Sequence, residues 1–168
     1  MMDFKHFVDK SGWGFGPWQE EPDRATWWDQ ATGLPCLISR NGFGSLCGYV
    51  GVHPKHPLFN SGIGSCLNKI CCNPYSCDHS LGYVITVHGG LSFAGECKAL
   101  HYKNEGCHLK DEVTEEPWWF GFDCGHSIDY IPFLNVNLPG NHPSNYRDLK
   151  YVESQIEQLA NQLFELGV

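Results

Sequence analysis

The chain has 168 residues, 42 % hydrophobic and only 18 % charged, which excludes a disordered polymer and leaves room for one domain with a substantial core. Its 19 Gly and 10 Pro, beside six Trp, seven Tyr and ten Phe, argue against a helical bundle and for short strands joined by many turns. The formal net charge of −8 disfavours long DNA or RNA, which needs clustered Lys and Arg to displace counterions, and no apolar run approaches a membrane span.

The opening segment MMDFKHFVDK has no apolar signal region, so a soluble cytosolic protein is expected. The nine cysteines then read as thiols or metal ligands rather than disulfides. Residues 11–18, SGWGFGPW, alternate Gly with aromatics, as an irregular strand or a loop whose rings cover one end of the core. Glu20, Glu21 and Asp23 read as surface acid, and residues 24–30 as a short helix or edge segment with core tryptophans. Residues 34–40 and 46–53 flank Asn41-Gly42 and predict a hairpin. His53 and His56 follow in a proline-bounded loop.

Residues 60–80 form a Cys-rich, loop-like insert. Cys66, Cys71, Cys72, Cys77 and His79 could supply four ligands to a structural zinc, although the spacing lacks the paired Cys-x-x-Cys of a zinc knuckle. Residues 82–88, GYVITVH, read as the clearest strand, with Tyr83, Ile85 and Val87 on one side and His88 ending the other. Gly89 and Gly90 follow, where backbone or ligand can come close, and Ser92, Phe93 and Glu96 suggest a returning strand. Residues 98–117 read as an acidic surface loop.

The stretch 118–129, WWFGFDCGHSID, begins as a strand with Trp118, Phe120, Phe122 and Cys124 on one face and Trp119, Gly121 and Asp123 on the other. It then presents Asp123, Cys124, His126 and Asp129 around Gly125; a helical turn would put His126 and Asp129 on one face. Residues 131–144 are Pro- and Asn-rich and read as irregular. A helix is predicted over 146–166, with an apolar stripe of Leu149, Val152, Ile156, Leu159 and Leu163. Asn145 is its expected N-cap and Gly167 its stop; Glu153, Gln155, Glu157 and Gln158 read as a solvated face. The expected fold is therefore a single α+β domain, 1–168: a mainly antiparallel, twisted sheet with the C-terminal amphipathic helix packed on it.

The segments GPWQEEPDR, TGLPCLISRN, LCGYVGVHPKHPLF, VHGGLSFAG, WWFGFDCGHSID and YRDLKYVESQIEQLANQL, in this order, resemble a group of small, mostly uncharacterised proteins of bacteriophages and prophages. His56, the His88-Gly89-Gly90 turn and Asp123, His126 and Asp129 match that group's signature positions, whereas His53-Pro54-Lys55 replaces a Pro-Pro-Gly-like turn. The resemblance implies an accessory protein in the cytoplasm of an infected bacterial host. By analogy it implies one that blunts a defence run on soluble nucleotide signals, such as cyclic dinucleotides or cyclic ADP-ribose.

Three chemistries suit these residues. In a hydrolase, Asp123, His126 and Asp129 would hold a divalent cation, with His88 or His56 completing the shell or acting as acid or base. A metal-free variant would use His88 as base and His126 as acid, with Asp129 orienting a ring. In a non-enzymatic sponge, Trp119 would stack on a base while Gly89, Gly90 and Ser92 meet phosphates, in a homo-oligomer. In the structural alternative, Asp123 caps a turn and the histidines satisfy buried groups. Cys124 as a nucleophile ranks lowest, because alternation sends it to the core face.

Overall fold

A computed structural model describes residues 2–67, 79–96, 115–138, 140 and 145–168. Six strands follow in chain order: β1 (Asp3–Lys5), β2 (Arg24–Trp28), β3 (Pro35–Arg40), β4 (Leu46–Val52), β5 (Phe93–Glu96) and β6 (Trp118–Asp123). They form one antiparallel sheet in the order β1-β2-β3-β4-β6-β5. One-turn α1 (Leu81–Val84) and short α2 (Pro132–Asn137) lie in the connections, and the long α3 (Leu149–Gly167) packs across β3 and β4. This is the α+β architecture expected. No helix among the described residues is long and apolar enough to cross a membrane.

The predicted hairpin is β3–β4. Its closure uses the Asn41 side chain, whose Oδ1 accepts from Phe43 N and Ser45 N, with Gly44 at φ 101°. Period-two alternation in β6 divides its side chains as expected. Phe120, Phe122 and Cys124 join the main core with Val152, Ile156, Leu159, Ala160 and Leu163 of α3. Burying each larger aliphatic of that stripe contributes about 1.5–3 kcal/mol. A Cβ on Gly48 would sit 2.6 Å from the Phe122 ring and 2.9 Å from Ile156, so the missing side chain lets helix and ring settle on β4.

Several expectations need correction. Residues 24–28 are an internal strand, covered at the edge by β1. Residues 82–88 add no strand to the sheet: Leu81–Val84 close a helical turn through Val84 N→Ser80 O and Ile85 N→Leu81 O. Beyond it the chain does extend, burying Ile85 and Val87, but its hydrogen-bond partners are helix side chains. Thr86 N donates to Gln162 Oε1, Gln162 Nε2 donates to Thr86 O, and His88 N donates to Gln155 Oε1. The alternation holds only for Ile85, Thr86 and Val87, since Tyr83 is exposed in the helical turn and His88 is buried. Two glutamines supply the backbone partners, so Gln155 is not merely solvated.

Within 131–144, residues 132–137 form α2, started by Pro132 in the first turn, where the missing N–H costs nothing. α3 begins later than predicted: Asp148 is the N-cap, accepting from Tyr151 N at 2.8 Å, and Gly167 closes the helix from within. Glu21 and Asp23 are not surface acid. Together with Lys10 and Arg40 they form an internal ionic cluster, Asp23 being fully buried and Arg40 only 1 % exposed.

Candidate functional site

Three chain segments converge beside the first turn of α3. The first is the strap at 85–88, clamped onto the helix by Gln155 and Gln162, which ends on His88. The second is the turn after β6, closed by Asp129 N→His126 O at 2.9 Å. It is a hydrogen-bonded turn rather than a helix, yet it puts His126 and Asp129 side by side as predicted. The third is the entry to α3, which contributes Arg147 and Tyr151. Tyr130 N→Asn145 O ties the second segment to the third, and Trp18 packs against both Tyr130 and Tyr146 at ring separations of 5.3 and 5.0 Å.

At the centre is Asp129, 2 % exposed. Its Oδ2 accepts from His88 Nε2 at 2.8 Å and from His126 N at 3.2 Å, and its Oδ1 accepts from Arg147 Nε at 2.9 Å. Burial alone would raise its pKa, but His88 and Arg147 outweigh that and hold it below the usual aspartate value. An ionised carboxylate only accepts, so His88 Nε2 carries the proton in that bond. In the neutral ring Nδ1 then accepts from the Tyr151 hydroxyl, 2.9 Å away. The guanidinium of Arg147 lies over the Tyr151 ring at 4.6 Å.

His126 stacks edge-on to His88, ring centroids 5.3 Å apart, and is the most open of the three, with 34 % of its side chain exposed. Its ring covers Gly89, where φ is +67° and a Cβ would lie 2.1 Å from Cε1. Gly89 therefore serves close approach, as the sequence suggested, but of a histidine ring rather than a ligand. His126 Nδ1 is buried without a hydrogen-bond partner among the described residues, 3.4 Å from Asp129 Oδ2.

One ligand atom each from His88, His126 and Asp129 lies within 4.8 Å of the others, and the group could hold a metal ion. A tetrahedral site with bonds of about 2.0–2.1 Å spaces its ligand atoms by roughly 3.3 Å. The observed 2.8 Å (His88 Nε2 to Asp129 Oδ2) and 3.4 Å (His126 Nδ1 to Asp129 Oδ2) bracket that value. An ion on His88 Nε2 would displace the proton there, leaving Nδ1–H to donate to Tyr151. That is the outer hydrogen bond metal-bound imidazoles usually make.

Other predicted site residues fall elsewhere. Asp123 does not join the group: its Oδ1 accepts from Gly125 N at 2.9 Å, so the carboxylate caps the turn that delivers His126. His56 accepts from Leu58 N through Nδ1 and meets Leu163 O through Nε2 at 3.0 Å. Leu163 is twelve residues, about 18 Å, along α3 from Tyr151, so His56 fastens a loop to the far end of the helix. Trp119 is 1 % exposed and packed with Leu37, Tyr49 and Phe93, so it cannot stack on a ligand. Ser92 is exposed, its N–H bonded to Gly121 O, and Gly90 adopts φ 84°. Cys124 is buried and its thiol pKa is pushed far upward by burial, against a nucleophilic role.

Of the candidate zinc ligands, Cys71, Cys72 and Cys77 lie outside the described residues, as does most of the acidic loop. Cys66 and His79 flank the base of the insert, which is closed by the Cys66–Ser80 bridge and Leu67 N→His79 O. Sequence reasoning passed over Arg147, Tyr151 and Gln155. Tyr151 and Gln155, four apart on α3, share a face, and that was the available signal; Arg147 precedes the N-cap and carried none. No family model, no curated protein and no solved structure matches the chain. Fold and site alone therefore define its class: an antiparallel α+β domain carrying a two-histidine, one-carboxylate group at a partly exposed rim.

Proposed function

We propose that the protein hydrolyses a small nucleotide-type phosphodiester with a divalent cation held by His88, His126 and Asp129. The observation carrying this reading is the unpartnered, buried Nδ1 of His126, beside Asp129 and the His88 ring. Leaving a buried nitrogen unpaired costs about 1–3 kcal/mol, and a bound ion would remove that cost. Two imidazoles and one carboxylate suit zinc, iron or manganese better than magnesium. When bound, such an ion polarises a phosphoryl oxygen and acidifies a water. The chain supplies the rest. Tyr151 would hold the His88 ring through Nδ1–H, Asp129 would anchor Arg147 beside the ion, and Arg147 adds positive charge at the rim. The overall reaction adds water across one P–O bond: a cyclic dinucleotide's diester gives a phosphomonoester and an alcohol, and the pyrophosphate of cyclic ADP-ribose gives two phosphomonoesters.

The net charge of −8 supports a small ligand over a polymer. The resemblance to phage proteins supports an immune signal, such as a cyclic dinucleotide or cyclic ADP-ribose, as substrate. Both nitrogens of His88 are already hydrogen-bonded, which argues against the metal-free reading with His88 as base. The test is incubation of the purified protein with a panel of cyclic dinucleotides and cyclic ADP-ribose isomers, with and without EDTA, followed by heat denaturation and chromatography. New products that disappear with EDTA support the hydrolase. Intact ligand released only by denaturation supports the sponge, and no product together with no bound ligand leaves no nucleotide role standing.

A further inference from the structure

Arg147 is placed as a binding group rather than as a filler of charge. Its Nε is spent on Asp129 Oδ1, its face lies on the Tyr151 ring, and 23 % of its side chain is exposed. Its two Nη groups make no hydrogen bond among the described residues, so four N–H donors are left in a fixed plane. Such a fork matches two oxygens of a phosphoryl group, and the entropy of holding it still has already been spent. The nearby helix end is a poorer anion site, because two of its first three N–H groups are taken, Tyr151 N by Asp148 and Leu149 N by Glu21.

We propose that the Nη edge of Arg147 seats a phosphoryl group immediately beside the metal position, and that ion and anion bind cooperatively. This rests on the metal reading above. Without an ion, the charge of Asp129 is matched by that of Arg147, on a protein that is itself acidic. A divalent ion leaves the site with two positive charges, enough to draw in an anion the apo protein holds weakly. Linkage requires the converse: the anion must tighten the ion by the same factor.

The experiment is calorimetric titration of inorganic phosphate into the protein, metal-free and loaded with manganese(II), for wild type, Arg147→Gln and Arg147→Lys. Manganese affinity is measured in parallel, with and without phosphate. The loaded wild type should bind phosphate at least about tenfold more tightly than Arg147→Gln, the loss expected when charge-assisted hydrogen bonds are removed. Arg147→Lys, which keeps charge but not the fork, should fall between them while still binding manganese. Phosphate binding by Arg147→Gln equal to wild type, or none by the loaded wild type, overturns the inference. Failure of wild type to bind manganese overturns the metal reading instead. Phosphate binding to the ion-free protein, lost in Arg147→Gln, would then still uphold the arginine site, and its absence would overturn it. Adenosine monophosphate in place of phosphate separates the two sources of the group: equal affinity assigns phosphate alone, tighter binding a nucleotide.

Discussion

Arg40 and Arg147 each donate from Nε to an aspartate Oδ1 at 2.9 Å, yet they sit in opposite kinds of polar cluster. All five N–H donors of Arg40 have a partner: Asp23, Gly44 O, the Tyr146 hydroxyl, Glu21 and Pro22 O. Asp23 in turn takes Lys10 and the N–H groups of Phe7 and Val8, and Glu21 takes Tyr146 and Leu149 N. Every donor of its arginine is satisfied. The cluster around Asp129 leaves four donors of Arg147 and one nitrogen of His126 without a hydrogen bond among the described residues, at a rim rather than in the interior. Adjacent residues reach into the two clusters, Tyr146 into one and Arg147 into the other. Saturation therefore separates a structural device from a candidate site better than residue type does.

The sharpest way to break this contrast is to remove Arg40. Arg40→Leu leaves Asp23 and Glu21 buried against unpaired partners and should cost about 3–5 kcal/mol in urea unfolding. A loss near 1 kcal/mol would mean the closed cluster holds little together. Gly89→Ala should cost about 1–2 kcal/mol for a side chain at positive φ and, by pushing the His126 ring aside, weaken manganese binding about tenfold or more. Unchanged manganese affinity in a folded Gly89→Ala protein would detach the glycine from the site. Gln155→Ala, which frees the His88 N–H, should cost about 1 kcal/mol, measured the same way.

His126→Ala should be the mildest for stability, within about 0.5 kcal/mol of wild type, since a half-open ring with an orphaned nitrogen contributes little to folding. The same change should abolish ion binding at the site. Strong destabilisation would make His126 a packing residue and merge the two clusters into one kind.

Acid sharpens the comparison from another side. Burial would raise both Asp23 and Asp129, but Lys10 with the Val8 and Phe7 N–H groups, and His88 with Arg147, hold them below the usual value. Their folded pKa values therefore lie under the unfolded value of about 3.9. The stability they contribute is present above that pH and is lost as pH falls through the lower folded values. Unfolding free energy measured from about pH 6 to about pH 2 should drop over this window, and Asp129→Asn should flatten part of the drop. A drop centred near neutral pH would contradict it.

What was legible in the chain followed periodicity. The hairpin at Asn41, the two faces of 118–124 and the apolar stripe of α3 each repeat a pattern that only one element satisfies. Residues 82–88 were misread as one strand: the first three belong to the helical turn α1, and alternation in 85–88 reports an extended segment without saying what bonds its backbone; here two glutamines do. The pairing of His88 with His126 and Asp129 was anticipated from two polar positions followed by glycine. For Asp123 the metal and turn-cap readings stood side by side, because a carboxylate two residues before a glycine serves either; the structure shows the cap. Tyr151 was hidden for a plainer reason, since one aromatic on a helix looks like part of any solvated face, and Arg147, just before the N-cap, belongs to no repeating pattern at all.

The central claim is an ion at His88, His126 and Asp129. Dialysis against manganese(II), an ion with little affinity for thiols, followed by elemental analysis of wild type and a folded His88→Ala/His126→Ala double variant, tests it most directly. Wild type should retain about one equivalent more than the variant. Equal content in the two proteins would contradict it.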